Sequence, residues 1–339
     1  MNGREAALLS FLGAAGWASA ERRFLAEDAS NRSYDRLTLP DGSTAVLMDA
    51  PPGKGEDIRP FLKIAAHLRG LGLSAPRSLA ADATLGFLLL EDLGDGLYAR
   101  VLERCPEAEV PLYEAATGVL VHLQAHAAPA GLAAYDTAAM VVAARLAPEW
   151  YCRAILGDAG EGAAMAAALE TALDAHAADA PVIVLRDYHA ENMLWLDGRD
   201  GLARVGLLDF QLAQLGQPGY DLVSMLQDAR RDVPAGIEDA MIARFARLSG
   251  RSAEGFATSC AVLGAQRALR ILGTFARLSL LHGKPGYVRL IPRVWAQLRR
   301  NLEHPALSDL RRECDRLLPE PTDDGLRRMT ELCGTFRTR

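Results

Sequence analysis

Over the first 92 residues the apolar positions come in short runs broken by turn residues. Arg36-Leu37-Thr38-Leu39 and Thr44-Ala45-Val46-Leu47-Met48 flank Pro40-Asp41-Gly42-Ser43, which predicts an antiparallel hairpin. Pro51-Pro52-Gly53 then breaks the chain, and Ile58, Phe61, Leu62, Ala65, Leu68 and Leu71 fall at the spacing of one helix over 57–71. Ahead of the hairpin, Leu8, Leu9, Phe11 and Leu12 predict an amphipathic first helix. Gly86 to Gly96 reads as a buried strand running into an acidic exit punctuated by glycine. Beyond it the pattern changes. Ala/Leu/Arg-rich stretches at 113–127, 136–156, 161–178, 237–249, 255–281 and 287–302 predict helices, interrupted by strand-like patches at 182–196 and 202–210. The expected architecture is α+β, with a small sheet-rich lobe over 1–92, a hinge at 93–97 and a larger, mostly helical lobe over 98–339.

Composition narrows the class. Half of the 339 residues are hydrophobic, 24% are charged and the mean hydropathy is +0.03, which excludes a disordered, collagenous or membrane-spanning chain. A net charge of −6 argues against nucleic acid, so an anionic ligand must meet a local positive field. Lys54, Lys63 and Lys284 are the only lysines, against 34 arginines. The five cysteines are scattered, with no CxxC or Cys/His ligand spacing, which speaks against zinc and disulfides and for a reducing cytoplasm. Arg4, the apolar stretch 6–17 and Ala18-Ser19-Ala20 loosely imitate a secretory signal, but Glu5 and the helical spacing point to a structural helix. No other apolar run approaches the roughly 20 residues that cross a bilayer.

The chemistry concentrates in Leu185-Arg186-Asp187-Tyr188-His189-Ala190-Glu191-Asn192 and in Leu207-Leu208-Asp209-Phe210. Two apolar strands each deliver polar groups into a loop. Asp187, Asn192 and Asp209 are short oxygen donors of the kind that accept a hydroxyl proton and hold Mg²⁺ against a nucleotide's phosphates.

Asp187-x4-Asn192 followed by Leu208-Asp209-Phe210 resembles the catalytic and metal-binding loops of the protein-kinase-like fold. More narrowly it is similar to the aminoglycoside phosphotransferase and choline kinase family, and Gly219-Tyr220-Asp221-Leu222 matches a further element of that family. The resemblance covers roughly residues 20–300. Within it, the stretches 28–34, 47–52, 59–61 and 86–94 resemble the bacterial anomeric kinases of N-acetylmuramate and N-acetylglucosamine. The resemblance implies a two-lobed, ATP- and Mg²⁺-dependent kinase that phosphorylates the C1 hydroxyl of such a sugar in peptidoglycan recycling. It further implies ATP and a small sugar as partners, without nucleic acid or membrane; a monomer is expected, though the sequence leaves the oligomeric state open.

It also implies roles. Asp187 is the expected general base, and Asn192 and Asp209 the metal ligands. Asp221 is expected to brace the catalytic loop, while Arg186, His189 and Gln211 are candidates for the sugar side. Nucleotide is expected in a cleft between lobes, with adenine against the backbone of Glu91, Asp92 and Leu93 and phosphates against Ser30, Asn31 and Arg32. Met48 stands where kinases carry the lysine of the third strand. Methionine supplies no charge, so Arg32, Lys54, Arg59 or Lys63 must substitute, or magnesium and backbone must suffice. No Walker-A and no GxGxxG opens a helix. An aminoglycoside, choline or homoserine acceptor, and a catalytically silent nucleotide-binding module, are the alternatives.

Overall fold

The computed structural model describes residues 3–27 and 31–336. Helix α1 (Gly3–Ala14) precedes strands β1 (Glu21–Glu27), β2 (Ser33–Thr38) and β3 (Thr44–Asp49), and helix α2 (Arg59–Gly70) precedes β4 (Ser78–Asp82) and β5 (Phe87–Glu91). These strands form one antiparallel sheet in the order β1-β2-β3-β5-β4. The hairpin closes with Thr38 opposite Thr44, as its turn residues require. Alternation along the strands sorts the two faces. Leu37, Ala45, Leu47, Phe87 and Leu89 bury one face against Leu8 and Leu12 of α1, leaving Arg36, Val46, Met48, Leu88 and Leu90 to the other. Gly86 enters β5 at φ 73°, where a Cβ would lie 2.0 Å from the Ala50 carbonyl oxygen, so the turn admits only glycine.

Helices α3 (Tyr98–Arg104), α4 (Glu109–Gln124), α5 (Thr137–Ala144), α6 (Arg153–Leu156) and α7 (Ala163–His176) follow. The continuous helix expected over 136–156 is divided: between α5 and α6 lies a π-helical turn, Ala147–Cys152. Pro148 has no N–H to give the preceding turn, and the wider turn absorbs the lost bond. Four short strands come next, β6 (Val182–Val184), β7 (Met193–Trp195), β8 (Val205–Leu207) and β9 (Gln214–Gly216), paired β6 with β9 and β7 with β8. The chain ends in α8 (Tyr220–Leu226), α9 (Ala235–Leu248), α10 (Ala253–Leu280), α11 (Ile291–Asn301), α12 (Ser308–Leu317) and α13 (Asp323–Glu331).

Two compact units result. The first runs to Val119 and includes Glu191–Leu212; the second is Leu120–Ala190 together with the chain from Ala213 onward. In the first, the β7–β8 ribbon is stitched to segments far away in sequence. Leu207 N–H donates to Ser74 O at 2.7 Å and Trp195 N–H to Gly96 O at 2.7 Å. These long-range bonds draw 191–212 to the segments that flank β4 and β5. In the second unit α10, 28 residues long, is the buried axis, with leucine, alanine and glycine on most of its surface. Gly273 marks its closest approach to a neighbour, since a Cβ there would lie 2.1 Å from the Leu146 carbonyl carbon.

Candidate active site

In the helical unit, β6 delivers the loop that carries Asp187. Its geometry is set by Asp221, a fully buried residue in the first turn of α8, whose carboxylate accepts from Leu185 N–H at 2.5 Å and from Arg186 N–H at 2.9 Å. Between these bonds and Asp187 the backbone passes through Arg186 at φ 76°, a left-handed conformation that costs a non-glycine residue about 1 kcal/mol or more. The paired bonds from Asp221 offset that cost. Burial pushes the Asp221 carboxyl up to about 6; the two N–H groups and Arg186 pull it down, and Asp187 adds to the rise.

Arg186 lies over the ring of Tyr135 at 3.6 Å and of Tyr220 at 5.4 Å, and donates to the Gln214 amide oxygen. His189 is buried, with Arg230 Nη1 3.5 Å from its Nε2. Burial pushes its imidazole down to about 4; Asp228 and Asp187 oppose the shift, while Arg230 and Arg267 add to it. His189 is therefore neutral at physiological pH.

The sheet unit presents the metal-type donors. Asn192 precedes β7 and Asp209 follows β8, and the ladder brings these ends together: Leu208 N–H donates to Asn192 O at 2.9 Å. Asp209 is the second non-glycine residue at positive φ, 54°. It is held on both sides, because Gln211 Nε2 donates to its Oδ1 and Phe210, fully buried, packs against Phe61 of α2 with the ring centroids 4.8 Å apart and the rings tilted by 30°. An amide oxygen and a carboxylate from adjoining strand ends are hard donors that fit Mg²⁺. Among the described residues no three His, Cys, Asp or Glu side chains gather as a cage. Such an ion would take phosphate oxygens and water for the rest of its shell.

The residues expected to meet the nucleotide also lie in the sheet unit, apart from Ser30, which falls outside the described residues. Asn31 N–H donates to Glu56 Oε1 at 3.0 Å and its Nδ2 to Lys54 O at 3.2 Å, and Arg32 pairs with Glu56 at 3.3 Å. Met48, 1% exposed, lies in β3 opposite Tyr34 and Leu88. The Glu91 carboxylate holds Arg199 at 2.8 Å, and Asp92 holds Arg36 at 2.8 Å and the Gly94 N–H at 2.9 Å. The Glu91 N–H is itself bonded to Arg77 O at 2.8 Å, so the side chains of Glu91 and Asp92 and this amide all serve contacts within the chain. Leu93 Cδ1 lies 3.3 Å from the point where a Cβ on Gly206 would stand, so it closes over the β7–β8 ribbon.

Of the proposed lysine substitutes, Arg59 is paired with Asp57 and Arg32 with Glu56, while Lys54 and Lys63 are exposed. Sequence reading passed over Arg36, which alternation from buried Leu37 places on the Met48 face of the sheet, and it passed over Arg267 and Arg270 within α10. Along the chain the candidate residues change units between Ala190 and Glu191: Arg186, Asp187, His189 and Asp221 belong to the helical unit, and Asn192, Asp209 and Gln211 to the sheet unit.

The model of the phosphotransferase enzyme family matches residues 21–258. The N-acetylmuramate/N-acetylglucosamine kinase of Caulobacter vibrioides is 39% identical, over 94% of this chain and 98% of that protein. Among solved structures, a choline/ethanolamine kinase family protein from Mesorhizobium loti superposes with a TM-score of 0.59 at 14% identity, covering 97% of this chain and 99% of the other. An aminoglycoside phosphotransferase solved as a ternary complex with streptomycin and ATP gives 0.54 at 13% identity, covering 90% and 97%. The chain shares their α+β, protein-kinase-like fold. Among the described residues no helix is long and apolar enough to cross a membrane.

Proposed function

The chain belongs to the phosphotransferase enzyme family, and from that premise we propose that it is an ATP-dependent kinase of N-acetylmuramate and N-acetylglucosamine. It transfers the γ-phosphoryl group to the C1 hydroxyl, in the cytoplasm, as a monomer recycling peptidoglycan sugars. The observation that carries this reading is the match, over nearly the whole length of both chains, to a kinase named for those two sugars.

Asp187 accepts the proton of the acceptor hydroxyl as that oxygen attacks the γ-phosphorus and the bond from that phosphorus to the bridging oxygen breaks, so that ADP leaves. An anomeric hydroxyl is more acidic than an ordinary alcohol, so orientation of Asp187, fixed through Asp221 and the Leu185 and Arg186 amides, matters more than its basicity. Asn192 and Asp209 hold Mg²⁺, which when bound neutralises charge on the phosphate oxygens. Gln211 keeps the Asp209 carboxylate turned by its hydrogen bond. Ser30, Asn31 and Arg32 take the phosphates, Met48, buried in β3, supplies them no charge, and the backbone of Glu91, Asp92 and Leu93 meets the edge of the base. By function we divide the chain into a nucleotide lobe 1–92, a hinge 93–97 and a helical lobe 98–339, a division that differs from the division by packing.

The test is phosphate transfer from ATP to each sugar by the purified protein, with the product identified as the 1-phosphate. Turnover on both supports the reading. Turnover confined to choline, homoserine or an aminoglycoside would move the chain to another acceptor, and ATP binding without transfer to any acceptor would make it a silent module.

A further inference from the structure

Two arginines of the helical unit have no place in the mechanism above. Arg267 and Arg270 are three residues apart on α10 and so share a face. Arg267 is 5% exposed, and its Nη1 donates to Gln227 O at 2.9 Å. Among the described residues the Arg270 guanidinium makes no hydrogen bond or ion pair; its Nε is buried while part of the residue remains open to solvent. Both lie within electrostatic reach of Asp187 and of the Tyr220 phenol, and Arg270 also of Tyr135. Those two rings meet edge to face at 5.1 Å, and Arg186 covers Tyr135.

Of the carboxylates nearby, Asp187 is the proposed base and Asp221 is taken by two backbone N–H groups. Asp228 accepts from Arg230 N–H at 2.8 Å through one oxygen, while its Oδ2 has no hydrogen-bond partner among the described residues and lies within electrostatic reach of Arg267. Arg267 is desolvated with only a backbone carbonyl as its hydrogen-bond acceptor, which is costly, and Arg270 on the same face keeps part of its surface open; the pair beside a proposed base is most simply explained by an anion that arrives with a ligand. The planar fork of arginine matches a carboxylate in two parallel bonds. The metal donors and phosphate-loop residues belong to the other unit, whereas these arginines share the unit of Asp187, which handles the acceptor.

We propose that Arg270, supported by Arg267, binds the carboxylate of an acidic acceptor sugar, the ether-linked lactyl group by which N-acetylmuramate differs from N-acetylglucosamine. This rests on the acceptor reading above, which fails separately if the wild-type protein phosphorylates neither sugar.

The experiment compares kcat/KM for the two sugars in wild type, R270Q and R270K. In R270Q the ratio of N-acetylmuramate to N-acetylglucosamine should fall roughly 10- to 100-fold, the value of a hydrogen-bonded charge pair, and R270K should restore part of it. An unchanged ratio, with both sugars losing equally, would assign Arg270 to the phosphoryl group or to the fold and overturn the proposal. Should R270Q not fold, the wild-type protein is given the methyl ester of N-acetylmuramate. A kcat/KM roughly 10-fold or more below that of the free acid supports the proposal, and equality overturns it.

Discussion

Three arginines beside the candidate base differ from three that brace loops of the sheet unit, although each unit also holds arginines of the other kind, Arg293 on Asp232 in the helical unit and Arg204 over Trp195 in the sheet unit. The three in the sheet unit are matched to carboxylates: Arg32 to Glu56, Arg36 to Asp92 and Asp95, Arg199 to Glu91. In the helical unit Arg186 rests on tyrosine rings and an amide, Arg267 on a backbone carbonyl, and the Arg270 guanidinium has no hydrogen bond or ion pair among the described residues. Pairing within the chain fixes loops, and each partly exposed pair adds about 1 kcal/mol or less. An unmatched guanidinium gives the fold nothing and keeps its field for a ligand. The contrast teaches that the sheet unit is built to hold loops around its metal-type donors, whereas the helical unit holds positive charge in reserve around its candidate base.

If that division of labour is right, variants of the two units must fail in different kinetic terms. The largest effect belongs to Asp187. D187A should lower kcat for either sugar by about 10³-fold with little change in the KM for ATP, as loss of a general base does. Retained turnover would break the assignment. D209N comes next. Removing the charged metal-type donor should lower kcat/KM for ATP by about 10²-fold and shift the Mg²⁺ dependence to higher concentration, while the KM for sugar stays near its wild-type value. A change confined to the sugar would mean that the sheet unit also handles the acceptor.

The sequence made the metal-type donors easier to find than the arginines. Asn192 and Asp209 flank strands whose apolar residues announce them, and their spacing survives in the linear chain. The hairpin about Pro40–Ser43 was equally readable, because turn chemistry is local. By contrast, the three-residue strand β9 has no period to detect, and the break at Ala147–Cys152 depends on how the chain bypasses Pro148. The attachment of 191–212 to the segments that flank β4 and β5 rests on bonds to Ser74 and Gly96, more than a hundred and about a hundred residues away. Arg267 and Arg270 sit in an arginine-rich helical stretch where sequence cannot tell a buried guanidinium from a solvated one. Only the packing of α10 against its neighbours distinguishes them.

D221A sharpens the comparison from the structural side. It strands the Leu185 and Arg186 N–H groups in a buried site and releases the left-handed Arg186, so stability should fall by roughly 4 kcal/mol in urea unfolding. D221N, which keeps one acceptor oxygen, should lose less. Equal losses would mean that the cavity and not the two bonds sets the cost.

The smallest effect is read in the pH dependence of stability, where the helical unit's buried charges act against each other. His189 is depressed to about 4, so below its ordinary value near 6.5 the unfolded chain takes up a proton that the folded chain refuses, and stability is lost as pH falls from about 6.5 to 4. Asp221 is raised to about 6, so its contribution has the other sign: stability is gained as pH falls from about 6 towards 4. The two offset one another over the same interval. H189Q removes the first term alone, and the stability of wild type minus that of H189Q should drop by roughly 2 to 3 kcal/mol between pH 7 and pH 4.5, a shift of about two pKa units in buried surroundings. Groups common to both proteins cancel in the difference. A flat difference would show that His189 protonates freely in the folded chain. Burial and the guanidiniums of Arg230 and Arg267 would then not be holding His189 neutral inside the helical unit.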